Sequence, residues 1–193
     1  MRLSELPAVA TWQHTGVRTG YEVLFVQTSP AGVRLRGVTT AVEEHAAWSV
    51  SYRIDLDDRW RTRRAEVVTA TADAERRVDI HRSDDDRWTV NGVPQPALDG
   101  CVDVDLESSS VTNTLPVHRL PFARGAPVSV PAAFVWANDL RVQREEQMYT
   151  LTGATAEDIS FHYESPTFDF RCELTFDAAG LILHYPGLAR RHR

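Results

Sequence analysis

From Phe168 to Phe176 every second residue is apolar. Phe168, Phe170, Cys172, Leu174 and Phe176 alternate with Asp169, Arg171, Glu173 and Thr175. A period of two gathers apolar side chains on one face only when the backbone is extended, so this pattern excludes a helix. One face then packs on a core and the other meets water, as in antiparallel sheets. The same period recurs at Val50, Tyr52, Ile54 and Leu56, and at Ile159, Phe161 and Tyr163.

Turn-forming clusters separate the alternating runs: Ser29 to Gly32, Asp84 to Asp86, Asn91 with Gly92, and Asp177 to Gly180. Strands are expected near residues 9–14, 21–27, 32–45, 47–57, 61–72, 75–82, 87–91, 101–107, 128–136, 141–151, 157–164, 167–176 and 180–185. So many strands in one flat sheet would leave long unpaired edges. The expected fold is therefore all-β: a single domain, residues 1–193, of many antiparallel strands curled into a barrel or roll. Asn138 to Leu151 also fits a helix capped by Asn138, but strand-like flanks favour extended structure. The end, Ala189 to Arg193, reads as frayed and solvated.

Composition narrows the partners. The net charge of -6 argues against nucleic acid or an anionic membrane surface as the main partner. There is no lysine, so a cationic contact must come from arginine or histidine. Cys101 and Cys172 lack metal-binding spacing and read as two reduced thiols, with a disulfide as the alternative because spacing in sequence does not fix their distance. Glu5 and Pro7 stand where a signal peptide needs an apolar core, and no apolar run approaches a membrane span. A cytoplasmic protein is expected.

The chemistry-bearing candidates cluster between Gly100 and Leu120. In a strand, Asp103 and Asp105 share one face roughly 6.6 Å apart, with Val102, Val104 and Leu106 on the other. Such a pair can be a solvated face, an acid/base couple, a site for a hard cation, or half of an ionic cluster. Arg61 and Arg63, on one strand face, are candidate partners for that cluster. Thr112 to Pro116 reads as a local turn, or else as a polar patch for sugar hydroxyls or a head group. No nucleophile signature, phosphate loop or metal spacing is present, so no catalytic residue, cofactor or metal is expected. The five tryptophans read as core.

These residues resemble a bacterial family of putative glycolipid-binding proteins. The carrying positions are Gly100 to Leu106, then Thr112, Asn113, Thr114, Leu115 and Pro116 with Arg119 and Leu120. Supporting positions are Tyr52 and Ile54, Trp60 to Arg63, Gln147 to Tyr149, Asp177 to Leu181, and Tyr185 with Pro186. The resemblance implies a spiral β-roll akin to bacterial lipoprotein carriers, which hold acyl chains in an apolar cavity. It implies a lipid or glycolipid ligand and no established catalytic residues. Those carriers are exported, whereas this chain shows no export signal. Val104, Phe134, Phe161, Phe168 and Phe170 are then expected to line a core or cavity. Arg61, Arg63, Asp103, Asp105, Asn113, Thr114 and Arg119 are expected to handle a polar head. The alternatives are an enzyme using Asp103 and Asp105 as acid and base, and a module whose polar cluster only fixes the fold.

Overall fold

The computed structural model describes residues 3–192. Alternation sets the strands directly: in β4 (Ala46–Leu56), Trp48, Val50, Tyr52, Ile54 and Leu56 are buried while Ser51 faces outward. The preceding strands are β1 (Val9–His14), β2 (Thr19–Ser29) and β3 (Gly32–Glu43). After β4 come β5 (Thr62–Thr71), β6 (Glu75–Arg82), β7 (Trp88–Val90) and β8 (Val93–Pro94). Then follow β9 (Asp103–Leu106), α1 (Thr114–Arg119), β10 (Pro127–Ser129), β11 (Ala132–Val135) and β12 (Val142–Glu145). The chain finishes with β13 (Met148–Ala154), β14 (Asp158–Ser165), β15 (Phe170–Asp177), β16 (Ile182–Tyr185) and β17 (Ala189–His192).

Fourteen strands form one antiparallel sheet in the order β10, β13, β14, β15, β16, β17, β1, β2 and onward to β8. It is two meanders joined where β17 pairs with β1, Trp12 opposite Arg191. The sheet does not close, because β10 and β8 remain its two ends. Within the curl lies a small second sheet, β12-β11-β9. Every residue of β9 and β11 is buried. Both arms grip this insert. Thr62 Oγ1 accepts from the Val104 N–H at 3.1 Å, and Trp88 Nε1 donates to the Cys101 carbonyl at 3.0 Å. From the other arm, Tyr149 donates to Asn113 Oδ1 at 2.7 Å, and His118 Nε2 meets the Ala179 carbonyl at 2.8 Å. Apolar side chains from the sheet, insert and helix merge into one buried cluster. Trp12 and Trp88 lie fully within it, whereas Trp60 and Trp136 are only partly buried.

Four expectations need correction. First, β9 and β11 pair in parallel, not antiparallel. The chain between them supplies the long crossover that parallel pairing requires, and α1 lies within it. Second, Thr112 to Pro116 is not a simple turn: a 3-10 turn, Val111–Asn113, runs straight into α1. Pro116 is the third residue of that helix, where a backbone N–H would have no intrahelical acceptor, so its ring is tolerated. Third, Ala189 to His192 is not frayed but forms β17, hydrogen-bonded to strands on both sides; Arg193 lies outside the described residues. Fourth, Arg61 lies just before β5, after a turn in which Trp60 takes φ +61°, so it and Arg63 do not form a regular strand pair. Asn138 and Asp139 lie in a turn, after which Leu140 takes φ +57°, and from Val142 the segment is extended, as β12 and β13 with a break at Glu146 and Gln147. Among the described residues no helix is long and apolar enough to cross a membrane.

Candidate functional site

Between β9, the β14–β15 connection and the β16–β17 turn lies a partly open cavity of about 370 Å³. Its apolar wall includes Leu106, Phe134, Tyr163, Phe168, Phe170 and Leu188. Phe134 and Phe168 pack with ring centroids 4.8 Å apart, so they present one aromatic surface. Set among them are Arg18, Glu43, Asp105, Glu107, Asn113 and Glu145. Val104 and Phe161 are fully buried in the core and do not reach this space.

The anticipated polar residues separate into three places. Asp103 pairs with Arg119, whose Nε and Nη2 lie 3.2 and 2.5 Å from the two carboxylate oxygens. Burial pushes the Asp103 carboxyl up from its ordinary range, and the Arg119 charge pulls it back. Arg61 and Arg63 do not meet Asp103 or Asp105. Arg61 Nε donates to Asp57 Oδ2 at 2.7 Å, and Arg63 pairs with Asp84 on an exposed turn. The ionic partner of β9 therefore comes from α1, which the turn reading of Thr112 to Pro116 concealed. Thr114 Oγ1 is buried without a partner among the described residues, and neither Thr114 nor Asp103 faces the cavity. Asp105 and Asn113 do.

Asp105 belongs to a second, tighter cluster. Its two oxygens accept from Thr112 Oγ1 and Gln147 Nε2, both at 2.5 Å. Gln147 Nε2 also lies 2.9 Å from Glu145 Oε2, and Ser165 Oγ donates to Glu145 Oε1 at 2.6 Å. Burial, followed by the charge of Asp105, pushes Glu145 up to about 8, and burial raises Asp105 as well. Two carboxyls this close do not both ionise readily, so the pair tends to share one proton.

A third polar group sits behind the cavity. Glu22, fully buried in β2, accepts from Tyr52 Oη at 2.8 Å, from the Ser110 N–H at 3.0 Å and from Ser109 Oγ. Tyr52 reaches it because Gly37 lies beneath its ring; a Cβ there would stand 2.2 Å from the ring. Arg18 follows Gly16, whose φ of +79° favours glycine and whose Cβ, if present, would meet the Gly187 carbonyl at 2.6 Å. That close approach pins the β1–β2 loop to the cavity rim. Local pattern reading passed over Arg18, Glu22 and Glu145; Glu22 carried one available signal, a carboxylate on the buried register of β2 beside Leu24. Cys101 and Cys172 are separate free thiols, and burial pushes them up to about 11 and 12. Both are therefore protonated and weakly nucleophilic. Among the described residues no group of three His, Cys, Asp or Glu side chains is arranged to hold a metal ion.

Solved structures share this architecture. A DUF1089 family protein from Pseudomonas aeruginosa aligns with a TM-score of 0.75 at 25% identity, covering 89% of this chain and 92% of its own. A beta-barrel-like protein of domain of unknown function DUF1849 from Brucella abortus aligns with a TM-score of 0.54 at 11% identity, covering 98% of this chain and 95% of its own. At that identity the second likeness concerns the fold alone. No curated protein matches the chain. Residues 9–191 match the family described as "Putative glycolipid-binding", which takes in every strand but the last residue of β17. The chain belongs to this putative glycolipid-binding family.

Proposed function

We propose that this protein binds an amphipathic lipid or glycolipid in the cavity beside Asp105. The observation that carries the reading is an aromatic-walled space of about 370 Å³ with hydrogen-bonding groups set into its wall. Its size falls within the roughly 300–1,000 Å³ of small-molecule sites, and its mixed lining suits a ligand with an apolar body and a polar head. The acyl portion lies against Phe134, Phe168 and Phe170. Asp105, Asn113 and Glu145 meet the head. Asp103 and Arg119 stay behind the wall and hold β9 against α1, while Arg61, just before β5, and Arg63, at its start, pair with Asp57 and Asp84 instead. The test is organic extraction and native mass spectrometry of the purified protein, followed by calorimetric titration with octyl glucoside below its micelle concentration. A co-purifying lipid or saturable binding is expected; neither appearing would sink the reading.

One observation favours a second reading, an enzyme. Asp105 and Glu145, rather than Asp103 and Asp105, form a coupled acid pair open to the cavity. A pair sharing a proton can activate water against a bound ester or glycoside. Turnover of such an amphiphile, abolished by Asp105→Asn without unfolding, would establish it; a bound ligand recovered intact would count against it.

A further inference from the structure

Arg18 is the guanidinium that lines the cavity, and its surroundings are unusual for a buried cation. The residue is 5% exposed. Its Nη2 donates to the Glu107 carbonyl at 3.0 Å, and its guanidinium lies 5.3 Å from the centre of the Trp48 ring. Its Nε is buried and has no hydrogen-bond partner among the described residues. Among the described residues no carboxylate comes within the 4.0 Å of a salt bridge to it. Buried charges are nearly always paired, because desolvation is costly.

Against that cost of burial, the charges of the nearby acids Glu22, Glu43 and Glu107 favour the protonated guanidinium, but among the described residues none makes a salt bridge with it. Glu22 is taken up by Tyr52, Ser109 and Ser110. The Glu107 carboxyl accepts from the Ala137 N–H at 2.7 Å. Asp105 and Glu145 are engaged by Thr112, Gln147 and Ser165. Burial disfavours ionisation of Glu22, Glu107, Asp105 and Glu145 alike. Glu43 lines the same cavity, and the charge of Arg18 helps to keep nearby His14 neutral, as burial already does. What remains is a guanidinium at the edge of an aromatic space, with Nη2 tied to Glu107 and the cation–π face of Trp48 behind it.

We propose that Arg18 receives a singly charged oxyanion at the head of the bound amphiphile, so that the preferred ligand is an acidic lipid and not a neutral one. A lipid carboxylate and a lipid phosphodiester both present such a group. A dianion would add repulsion from Glu43 and from whatever charge the acid pair carries. The inference rests on the cavity binding amphiphiles as proposed above.

Calorimetric titration at pH 7.5 with decanoate, dihexanoylphosphatidylglycerol and 1-decanol tests it. At least one of the two anions is expected to bind about tenfold or more tightly than decanol, since one charge-assisted contact is worth that much. The anion that does so identifies the source of the head group. Arg18→Met should bring that anion to the level of decanol, and Arg18→Lys should restore part of the difference. Decanol binding as tightly as both anions would overturn the inference and leave the cavity reading intact. None of the three binding would remove both. The wild-type comparison decides the matter even if the Arg18 variants fold poorly.

Discussion

Asp103 and Asp105 sit two residues apart in β9, yet Arg119 closes off the first while the second opens on the cavity. Removing Asp103 leaves a guanidinium with 14% of its side chain exposed and no counter-ion. Asp103→Ala is therefore expected to cost roughly 3–5 kcal/mol in urea unfolding, the range for breaking a buried pair from one side. Glu145 gives a pH signature. Its folded carboxyl is raised from 4.5 to about 8, so the folded state holds a proton that the unfolded state has released. The stability this confers is present below pH 4.5 and is lost as pH rises toward 8. Glu145→Gln should gain in melting temperature relative to wild type as pH increases across that window; a difference flat with pH would refute the assignment. The alternation of carboxylate with apolar residue made Asp103 and Asp105 visible in the sequence. Their partners were not visible, because Arg119 and Gln147 reach β9 through space, and local periodicity records only neighbours along the chain.

At the scale of elements, β2, β3 and β4 form a unit around one missing side chain. Gly37 lies opposite Tyr52 in the β3–β4 register, and the bare backbone lets the phenol cross β3 to Glu22. Gly37→Ala should force the ring aside and break that bond, destabilising the fold by roughly 1–3 kcal/mol as overpacking does. In the double variant with Tyr52→Leu the penalty of Gly37→Ala should shrink; an unchanged penalty would mean that the glycine serves another purpose. Most strands were legible because they keep one wet face, and β4 and β14 show the alternation cleanly. β15 does so only at its far end: the strand expected from residue 167 begins at Phe170, Phe168 lies in a 3-10 turn before it, and both phenylalanines are exposed while Leu174 and Phe176 are buried. The helix was not: α1 spans six residues, too few to display a 3.6-residue period, and it contains a proline. Segments buried on both faces also gave weak signals, which is why β11 merged with β10 in one expected strand despite Pro131 between them.

Across the whole molecule, the meandering of consecutive antiparallel strands was readable from turn spacing, but its division into two arms and their junction were not. β17 links β16 to β1, and Trp12 reinforces the join by donating to the Ile182 carbonyl at 2.7 Å. Truncation after Leu188 removes that link. The expected outcome is loss of the single cooperative melt, read by circular dichroism and near-ultraviolet signal together; a variant that melts as sharply as wild type would show that the core alone joins the arms. The pairing of Thr11 with His192 also sets an order of events. Contacts between residues this far apart in sequence close the largest loops and form slowly. On a ribosome the β2-to-β8 meander can fold while the rest of the chain is still being made, but β1 must wait unpaired on one side until β17 emerges. Through that interval its edge is open to other nascent chains. The same strand pair that completes the sheet therefore makes late synthesis the period of greatest aggregation risk.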